Sequence, residues 1–163
     1  MKRSKTPEHG VTRAPASLLL ALLVTFVGGC ADLRSETDSL CSYGNDAMES
    51  LADLHASGLQ PPSEDSSPEE VAQIGRRGDL LIGQLLNSWR RLDPPLEAQL
   101  WHDSMEEWLT AVGGSYAILS AAEGKPQSEV TRMVGRIREL MEGLGYEGNQ
   151  LVMQSDRLFA ECP

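Results

Sequence analysis

Residues 101–122, WHDSMEEWLTAVGGSYAILSAA, carry the pattern that decides the fold. Apolar or small residues recur there at intervals that alternate between four and three, at Trp101, Met105, Trp108, Val112, Ser115, Leu119 and Ala122. This alternation places them in one stripe along an α-helix, as in the helices of a bundle. No alternating strand pattern competes with it in the chain. The stretch therefore predicts an amphipathic helix with one buried face.

Three other segments carry similar stripes, which predicts four helices in total. The second helix offers Val71, Ile74, Gly78, Leu81, Leu85, Trp89 and Leu92. The fourth carries one row of residues seven apart, at Val130, Ile137, Leu144, Leu151 and Leu158, and a second row at Val134, Met141, Gly148, Ser155 and Cys162. In the first helix the rows are Cys41, Met48 and His55, beside Gly44, Leu51 and Gly58. The sequence predicts an all-α, up-down-up-down four-helix bundle.

Capping and breaking residues mark the ends of these helices. The first is expected to start near Ser35 to Ser39, with Ser35 and Asp38 as a capping box, and to stop at Gly58 with Leu59 folding back onto Leu54. The second starts at Ser67-Pro68-Glu69-Glu70 and runs to about Leu92, and Asp93-Pro94-Pro95 then begins the third, which continues to about Ala122. The fourth follows Gly124-Lys125-Pro126. Gly113-Gly114, and Gly143 to Gly148, predict bends or frayed turns.

The first 31 residues have the pattern of an export signal. Lys2, Arg3, Lys5 and Arg13 precede an uncharged run, residues 18–27, that is apolar except for Thr25. Because a spanning helix needs roughly 20 apolar residues, the ten of this run fit the hydrophobic region of a signal peptide. Val27-Gly28-Gly29-Cys30 then places small residues directly before a cysteine. A plain secretory signal, whose cysteine is coincidental, is the alternative.

This arrangement resembles the signal and lipobox of bacterial lipoproteins, and the resemblance covers only residues 1–31. It implies cleavage before Cys30 and lipid attachment to that cysteine. The chain would then divide into a removed signal peptide (1–29), a lipidated N-terminus with a short tether (30–36) and a four-helix bundle (37–163). The protein would be extracytoplasmic, anchored to a cell membrane or outer membrane. Small helical-bundle lipoproteins are the wider class that it resembles, and this implies no active residues.

The remaining chain is strongly acidic. Removal of residues 1–29 leaves 10 basic and 23 acidic residues, and thus a formal net charge of −13. Nucleic-acid binding depends on arginine and lysine contacts to phosphate, so we expect no nucleic-acid partner. Anionic lipid would also repel this surface, which leaves a covalent lipid as the means of membrane attachment.

Two cysteines remain besides Cys30, and they lie near the two ends of the predicted bundle. In an up-down-up-down bundle, the start of the first helix and the end of the fourth lie at the same end, which predicts a disulfide between Cys41 and Cys162. Free buried thiols or a pair of metal ligands are the alternatives. Disulfides persist in the extracytoplasmic compartment that the lipobox implies.

Few residues suggest chemistry. His102 and Glu106 stand four apart on the third helix and could share a metal, although a solvated helix face explains them better. His55 is expected in the core or at its boundary. The methionines at 48, 105, 133, 141 and 153 fit core packing better than soft-metal binding. No nucleophile elbow or phosphate loop is present, so we expect no enzyme, no metal site and no cofactor.

The sequence therefore predicts a lipid-anchored binding or structural module of the cell envelope, with a possible envelope protein as partner. An exposed apolar patch is expected, and Trp89, Trp101 and Trp108 are its candidate residues. The alternative is a bundle that encloses a ligand or metal beside His102, Glu106 and His55. These two hypotheses place the functional residues on different parts of the bundle.

Overall fold

The structure is a computed structural model that describes the backbone of residues 17–162 and the side chains of residues 37–162. The chain divides into two compact units, Met1–Ser35 and Glu36–Pro163. The predicted signal sequence and Cys30 lie outside the residues whose side chains are described. Within the described part of the chain, no helix is long and apolar enough to cross a membrane.

Four α-helices follow one another along the chain, as the sequence predicts. They are α1 (Ser17–Ala56), α2 (Pro68–Trp89), α3 (Gln99–Ser120) and α4 (Gln127–Leu158). The expected start of α1 near Ser35 to Ser39 is wrong, because Ser35 and Asp38 both lie within the helix. The apolar run before them continues the helix, because no proline interrupts residues 17–56.

The other boundaries differ from expectation by only a few residues. Helix α2 ends at Trp89 and residues 90–92 form a turn, while α3 begins at Gln99, beyond the proline pair. Helix α3 is continuous through Gly113-Gly114, and α4 through Gly143, Gly145 and Gly148. The expected frayed turns are therefore not found, because each glycine keeps its backbone in the helix.

The buried face of α1 does not include the predicted row of Cys41, Met48 and His55, but lies one residue to its side. Its core residues are Leu40, Tyr43, Ala47, Leu51 and Leu54, whereas Met48 is 46% exposed. His55 is also exposed, so its predicted core or boundary position is wrong. The buried face of α1 is rotated from the predicted one because Tyr43, a large side chain that the predicted rows omit, is buried. Its burial turns the Met48 and His55 row towards solvent.

The two helix ends that the sequence marks most clearly are closed by serine side chains. At α2, the Ser67 hydroxyl accepts from the Glu70 amide while the Glu70 carboxylate accepts from the Ser67 amide, which completes the predicted capping box. At the end of α1, Gly58 has φ of +60°, as a glycine stop requires. There the Ser57 hydroxyl donates to Leu54 O and accepts from Leu59 N. It thus bridges the two groups that a Schellman motif pairs directly.

Helices α2 and α3 approach closely at three glycines. An ideal Cβ built on Gly75 would lie 2.2 Å from Ser120 N, and one on Gly78 would lie 2.3 Å from the Tyr116 ring. On the facing helix, a Cβ on Gly113 would lie 3.0 Å from Ile82 Cγ2. Residue numbers thus rise along α2 as they fall along α3. The complete up-down-up-down order of the four helices stays a prediction.

The core consists of two buried clusters that meet at shared side chains. The first contains Val71, Ala72, Ile82, Val112, Tyr116, Leu119, Ala122, Val130, Val134, Ile137 and Leu144. The second contains Tyr43, Ala47, Leu85, Trp89, Ala98, Trp101, Met105, Leu109 and Leu151. Leu54, Leu86 and Trp108 pack against both. The predicted stripes of α2, α3 and α4 supply most of these residues, which accounts for their helical spacing.

The predicted disulfide is present. Cys41 in α1 is bonded to Cys162, just beyond α4, with a Cα–Cα distance of 5.2 Å. The bond joins residues 121 positions apart in the sequence and so closes nearly the whole bundle into one covalent loop. This confirms the pairing that the positions of the two cysteines predict.

Substitution of Gly75 by alanine should destabilise the protein, because its Cβ would collide with the backbone of α3. We expect the free energy of unfolding to fall by about 1–3 kcal/mol, as for other overpacked positions. Gly83 in the same helix has no atom within 4 Å of its ideal Cβ, so Gly83→Ala should instead gain up to about 1 kcal/mol. Chemical denaturation followed by circular dichroism measures both. Equal effects of the two variants would contradict the close approach of α2 and α3.

Removal of the disulfide should destabilise the bundle. The double variant Cys41→Ser/Cys162→Ser should lose about 2–5 kcal/mol of unfolding free energy, because the unfolded chain regains the freedom of a long loop. Denaturant midpoints of the variant and of the native protein, with and without reductant, test this. The reduced native protein should match the variant. An unchanged midpoint on reduction would mean that the bond does not constrain the unfolded chain.

Candidate functional site

Three of the residues that the sequence singles out, Trp89, Trp101 and His102, meet in an aromatic cluster near the disulfide. We use this name for Tyr43, Trp89, Trp101, His102 and Phe159. Tyr43 comes from α1 and Trp89 from the end of α2, while Trp101 and His102 begin α3 and Phe159 directly follows α4. All four helical segments therefore contribute to it. The three core positions at 43, 89 and 101 are 5% exposed or less.

The rings of the cluster pack in tilted, edge-on and stacked pairs. The Trp89 and His102 rings are stacked, with centroids 5.1 Å apart and an interplanar angle of 15°. Trp101 meets Phe159 edge-on at 5.4 Å and Tyr43 edge-on at 6.3 Å. Such geometries are favourable for aromatic side chains and add to the energy of burial. The cluster therefore holds α1, α2, α3 and the end of α4 in a fixed arrangement.

Polar atoms inside the cluster have partners. The Tyr43 hydroxyl lies 2.9 Å from His102 Nδ1. The Trp89 indole donates to His102 O at 3.2 Å, and the Trp101 indole donates to Leu151 O at 3.0 Å. Among the described residues, no buried side-chain nitrogen or oxygen lacks a hydrogen-bond partner. The cluster thus has the satisfied hydrogen bonding of a structural core.

Burial sets the charge states of this region. It lowers the pKa of His102 below 6.5, an effect that the nearby carboxylates of Asp103 and Glu106 oppose. Burial, together with the charge of Asp103, raises the pKa of Tyr43 well above 10. The pair is therefore neutral at pH 7. A neutral imidazole beside a neutral phenol needs no counter-ion, which suits their place in the core.

The predicted position of His102 on a solvated helix face is wrong. His102 is 5% exposed, so it does not lie on a solvated helix face. Its predicted partner at a metal site, Glu106, accepts a hydrogen bond from Arg90 at 2.7 Å, while His102 Nδ1 lies 2.9 Å from the Tyr43 hydroxyl. No group of three or more histidine, cysteine, aspartate or glutamate side chains in residues 37–162 is placed to hold a metal ion.

A second apolar row on α3 explains the position of His102. Residues 102, 105, 109, 112, 116 and 119 also alternate by three and four, and all six are buried. The helix therefore buries two adjacent rows, and His102 begins the second. This spacing is visible in the sequence and could have identified His102 as a core residue.

The tryptophans are core residues and do not form an exposed patch. Trp89 is completely buried and Trp101 nearly so, while Trp108 is half-buried and donates its indole hydrogen to Leu144 O at 2.7 Å. The methionines divide between core and surface. Met105 is buried and Met133 and Met141 pack against the first cluster, whereas Met48 and Met153 are about half exposed. The expected apolar surface must therefore lie elsewhere.

An open cleft lies instead on α4, beside the end of α3. Its volume is about 600 Å³, and we call it the α3–α4 cleft. It is lined by Ile118, Lys125, Glu129, Arg132, Met133, Arg136, Ile137 and Leu140. Ile118 is 51% exposed and Leu140 47%. The cleft thus combines accessible apolar side chains with three cations and one carboxylate.

The cations of the cleft differ in how they are engaged. Lys125 forms an ion pair with Glu129, which lowers the pKa of that carboxyl. Arg132 donates to the backbone oxygen of Ser128. Arg136 makes no hydrogen bond or ion pair with residues 37–162, and so its charge is available to a ligand. The cleft is a cationic, partly apolar surface on a chain whose formal net charge is −10.

Comparison with known proteins adds no assignment to this geometry. No protein-family model matches the chain, and searches of curated proteins and of solved structures give no match either.

The lowered pKa of His102 predicts a loss of stability in mild acid. The unfolded state binds a proton below about pH 6.5 while the folded state resists it, so unfolding becomes easier as the pH falls from 6.5 to the folded-state pKa. We expect a contribution of up to about 1.4 kcal/mol per pH unit in that window. Chemical denaturation of the native protein and of His102→Gln at several pH values from 7.5 to 5 measures this contribution of His102 to the free energy of unfolding.

The difference in unfolding free energy between native protein and His102→Gln should shrink as the pH falls. The matched control is His55→Gln, because His55 is exposed. Its difference from the native protein should stay nearly constant. Parallel curves for His102→Gln and the native protein would contradict the burial of His102.

Proposed function

We propose that the protein is a lipid-anchored, extracytoplasmic helical bundle that acts as a binding or structural module of the cell envelope. The observation that carries this proposal is the disulfide between Cys41 and Cys162. Structural disulfides persist in oxidising compartments and are rare in the reducing cytosol. Since the bond uses two of the three cysteines, Cys30 is the one left for lipid attachment.

The signal pattern supports the same address independently. Its basic start, short apolar run and small residues before Cys30 are what lipoprotein processing requires. Lipid at Cys30 would place the attachment point eleven residues before Cys41. One lipid group of this kind attaches a protein that its acidic surface would otherwise keep away from anionic lipid.

The binding role is supported by the α3–α4 cleft. Stable bundles bury most of their large apolar side chains, yet Ile118 and Leu140 remain about half exposed beside Arg132 and Arg136, which form no ion pair with the described residues. Exposed apolar side chains beside charged groups are typical of interaction sites. Such a site favours a partner that is both apolar and acidic, which fits the proposed binding module.

The intact mass of the protein, purified from its native membrane without reductant, tests the anchor. We expect the mass of residues 30–163 plus a diacylglyceryl group, because processing cuts before Cys30 and modifies its thiol. Reduction should raise the mass by two hydrogen atoms, since the reductant supplies two electrons and the solvent two protons as the disulfide opens to two thiols. The control is Cys30→Ser, which should keep the unmodified mass. A native mass equal to the uncleaved, unmodified chain would refute the anchor and leave the bundle unaffected.

A further inference from the structure

We propose that the α3–α4 cleft binds a second copy of this chain, through an acidic, leucine-bearing segment at the start of α3. The inference deepens the binding role proposed above and rests on it. It does not depend on the lipid anchor, because both surfaces lie within residues 93–140. The two surfaces differ, so the association would be head-to-tail.

The segment in question presents the two most exposed large apolar side chains among the described residues. Leu96 is 87% exposed and Leu100 is 80% exposed. We call these two residues the leucine knob. Leu96 lies in the turn after the proline pair, and Leu100 lies in the first turn of α3. A partner that removes these side chains from water would gain the favourable free energy of apolar burial.

Acidic side chains surround the knob in the sequence. Asp93, Glu97 and Asp103 are all exposed, and none forms an ion pair with residues 37–162. Asp103 accepts one hydrogen bond, from the side-chain amide of Gln99. The knob therefore lies in a segment that has exposed apolar side chains and carboxylates without an ion pair among the described residues. This is the chemical complement of the α3–α4 cleft.

The cleft supplies the opposite combination. Ile118 and Leu140 offer apolar contacts, and Arg132 and Arg136 carry positive charge that no carboxylate pairs with directly. Opposite charges across an interface steer the encounter and fix the register of the two partners. Apolar burial then supplies the favourable free energy of association. Both requirements are met when the knob of one copy enters the cleft of another.

A chain cannot insert its own knob into its own cleft. Leu100 and Ile118 belong to the same continuous helix, α3, and eighteen residues separate them. At a rise of 1.5 Å per residue they lie roughly 27 Å apart along the helix axis. The occupant must therefore come from another molecule. Because each copy carries one knob and one cleft, association can close into a ring or continue as a chain.

Two variants with complementary defects test the proposal in the full-length protein. Leu96→Ser/Leu100→Ser removes the apolar knob but keeps the cleft, and Arg132→Glu/Arg136→Glu reverses the charge of the cleft but keeps the knob. All four positions are exposed, so neither change disturbs the core. Pairs of differently tagged copies are produced in the same cells, fixed with formaldehyde, and purified through one tag. The second tag is then quantified.

Native copies should recover one another. Each variant paired with itself should fall at least about tenfold below the native recovery, because its only possible contact lacks one surface. The knob variant paired with the cleft variant should regain recovery, since the intact cleft of one accepts the intact knob of the other. This rescue also shows that both variants are folded. Leu80→Ser, at a 62% exposed position on α2, is the control and should behave like the native protein.

Other results overturn the proposal. If native copies do not recover one another, or if each variant still pairs with itself, the cleft does not hold a second copy. If the two variants fail to rescue each other while each remains folded by circular dichroism, the contact is not head-to-tail. Binding of dodecanoate to the purified native protein, without self-association, would assign the cleft to a small amphipathic anion. In that case the binding role would stand and the second copy would not.

Discussion

The close approach of α2 and α3 is the constraint on which the rest of the structure depends. At Gly75 the two backbones are so near that not even a methyl group fits between them. Contacts of Gly78 with Tyr116 and of Ile82 with Gly113 continue this approach along the helices. It fixes which turn of one helix faces which turn of the other. The stacking of Trp89 on His102 at the far end of the same pair depends on that register.

Indole hydrogen bonds extend this order to neighbouring helices. Trp89 donates from α2 to a carbonyl of α3, and Trp101 and Trp108 donate from α3 to carbonyls of α4. Each indole buries a large apolar ring and satisfies its one donor on a neighbouring backbone, so burial costs no unpaired polar group. The disulfide adds a covalent link at the end where the aromatic cluster lies. The bundle is therefore most strongly defined near Cys41 and Cys162.

Some of the basic side chains on the described surface form ion pairs and others do not, and the unpaired ones support the proposed binding role. Several cations are engaged in ion pairs that link separate segments, such as Arg76 with Glu123 and Arg138 with Glu64. Exposed pairs of this kind contribute little to stability. In the α3–α4 cleft, by contrast, Arg132 and Arg136 form no ion pair with the described residues and lie beside exposed apolar side chains. The proposed binding role and the proposed partner both follow from that coincidence.

The sequence by itself determined the number of helices and most of their ends, but not the start of α1. Apolar spacing identified the stripes of α2, α3 and α4, and Ser67 to Glu70 marked a helix start that the structure reproduces, because both signals depend on local geometry alone. The disulfide was also predictable, since helix order and stripe position agreed on it. The lipobox at Cys30 remains a prediction from sequence, outside the described side chains.

Only the tertiary structure decided which face of each helix is buried and which side chains meet. Apolar spacing predicts the buried face of a helix only to within one row of side chains. In α1 the burial of Tyr43 places Met48 and His55 on the solvent side. Likewise, His102 is a polar residue whose burial depends on Trp89 and Tyr43 from two other helices. The α3–α4 cleft combines residues from two helices, and the leucine knob is recognisable only by its exposure. Contacts between distant segments decide these features, and of them only the burial of His102 is also indicated by the spacing along its own helix.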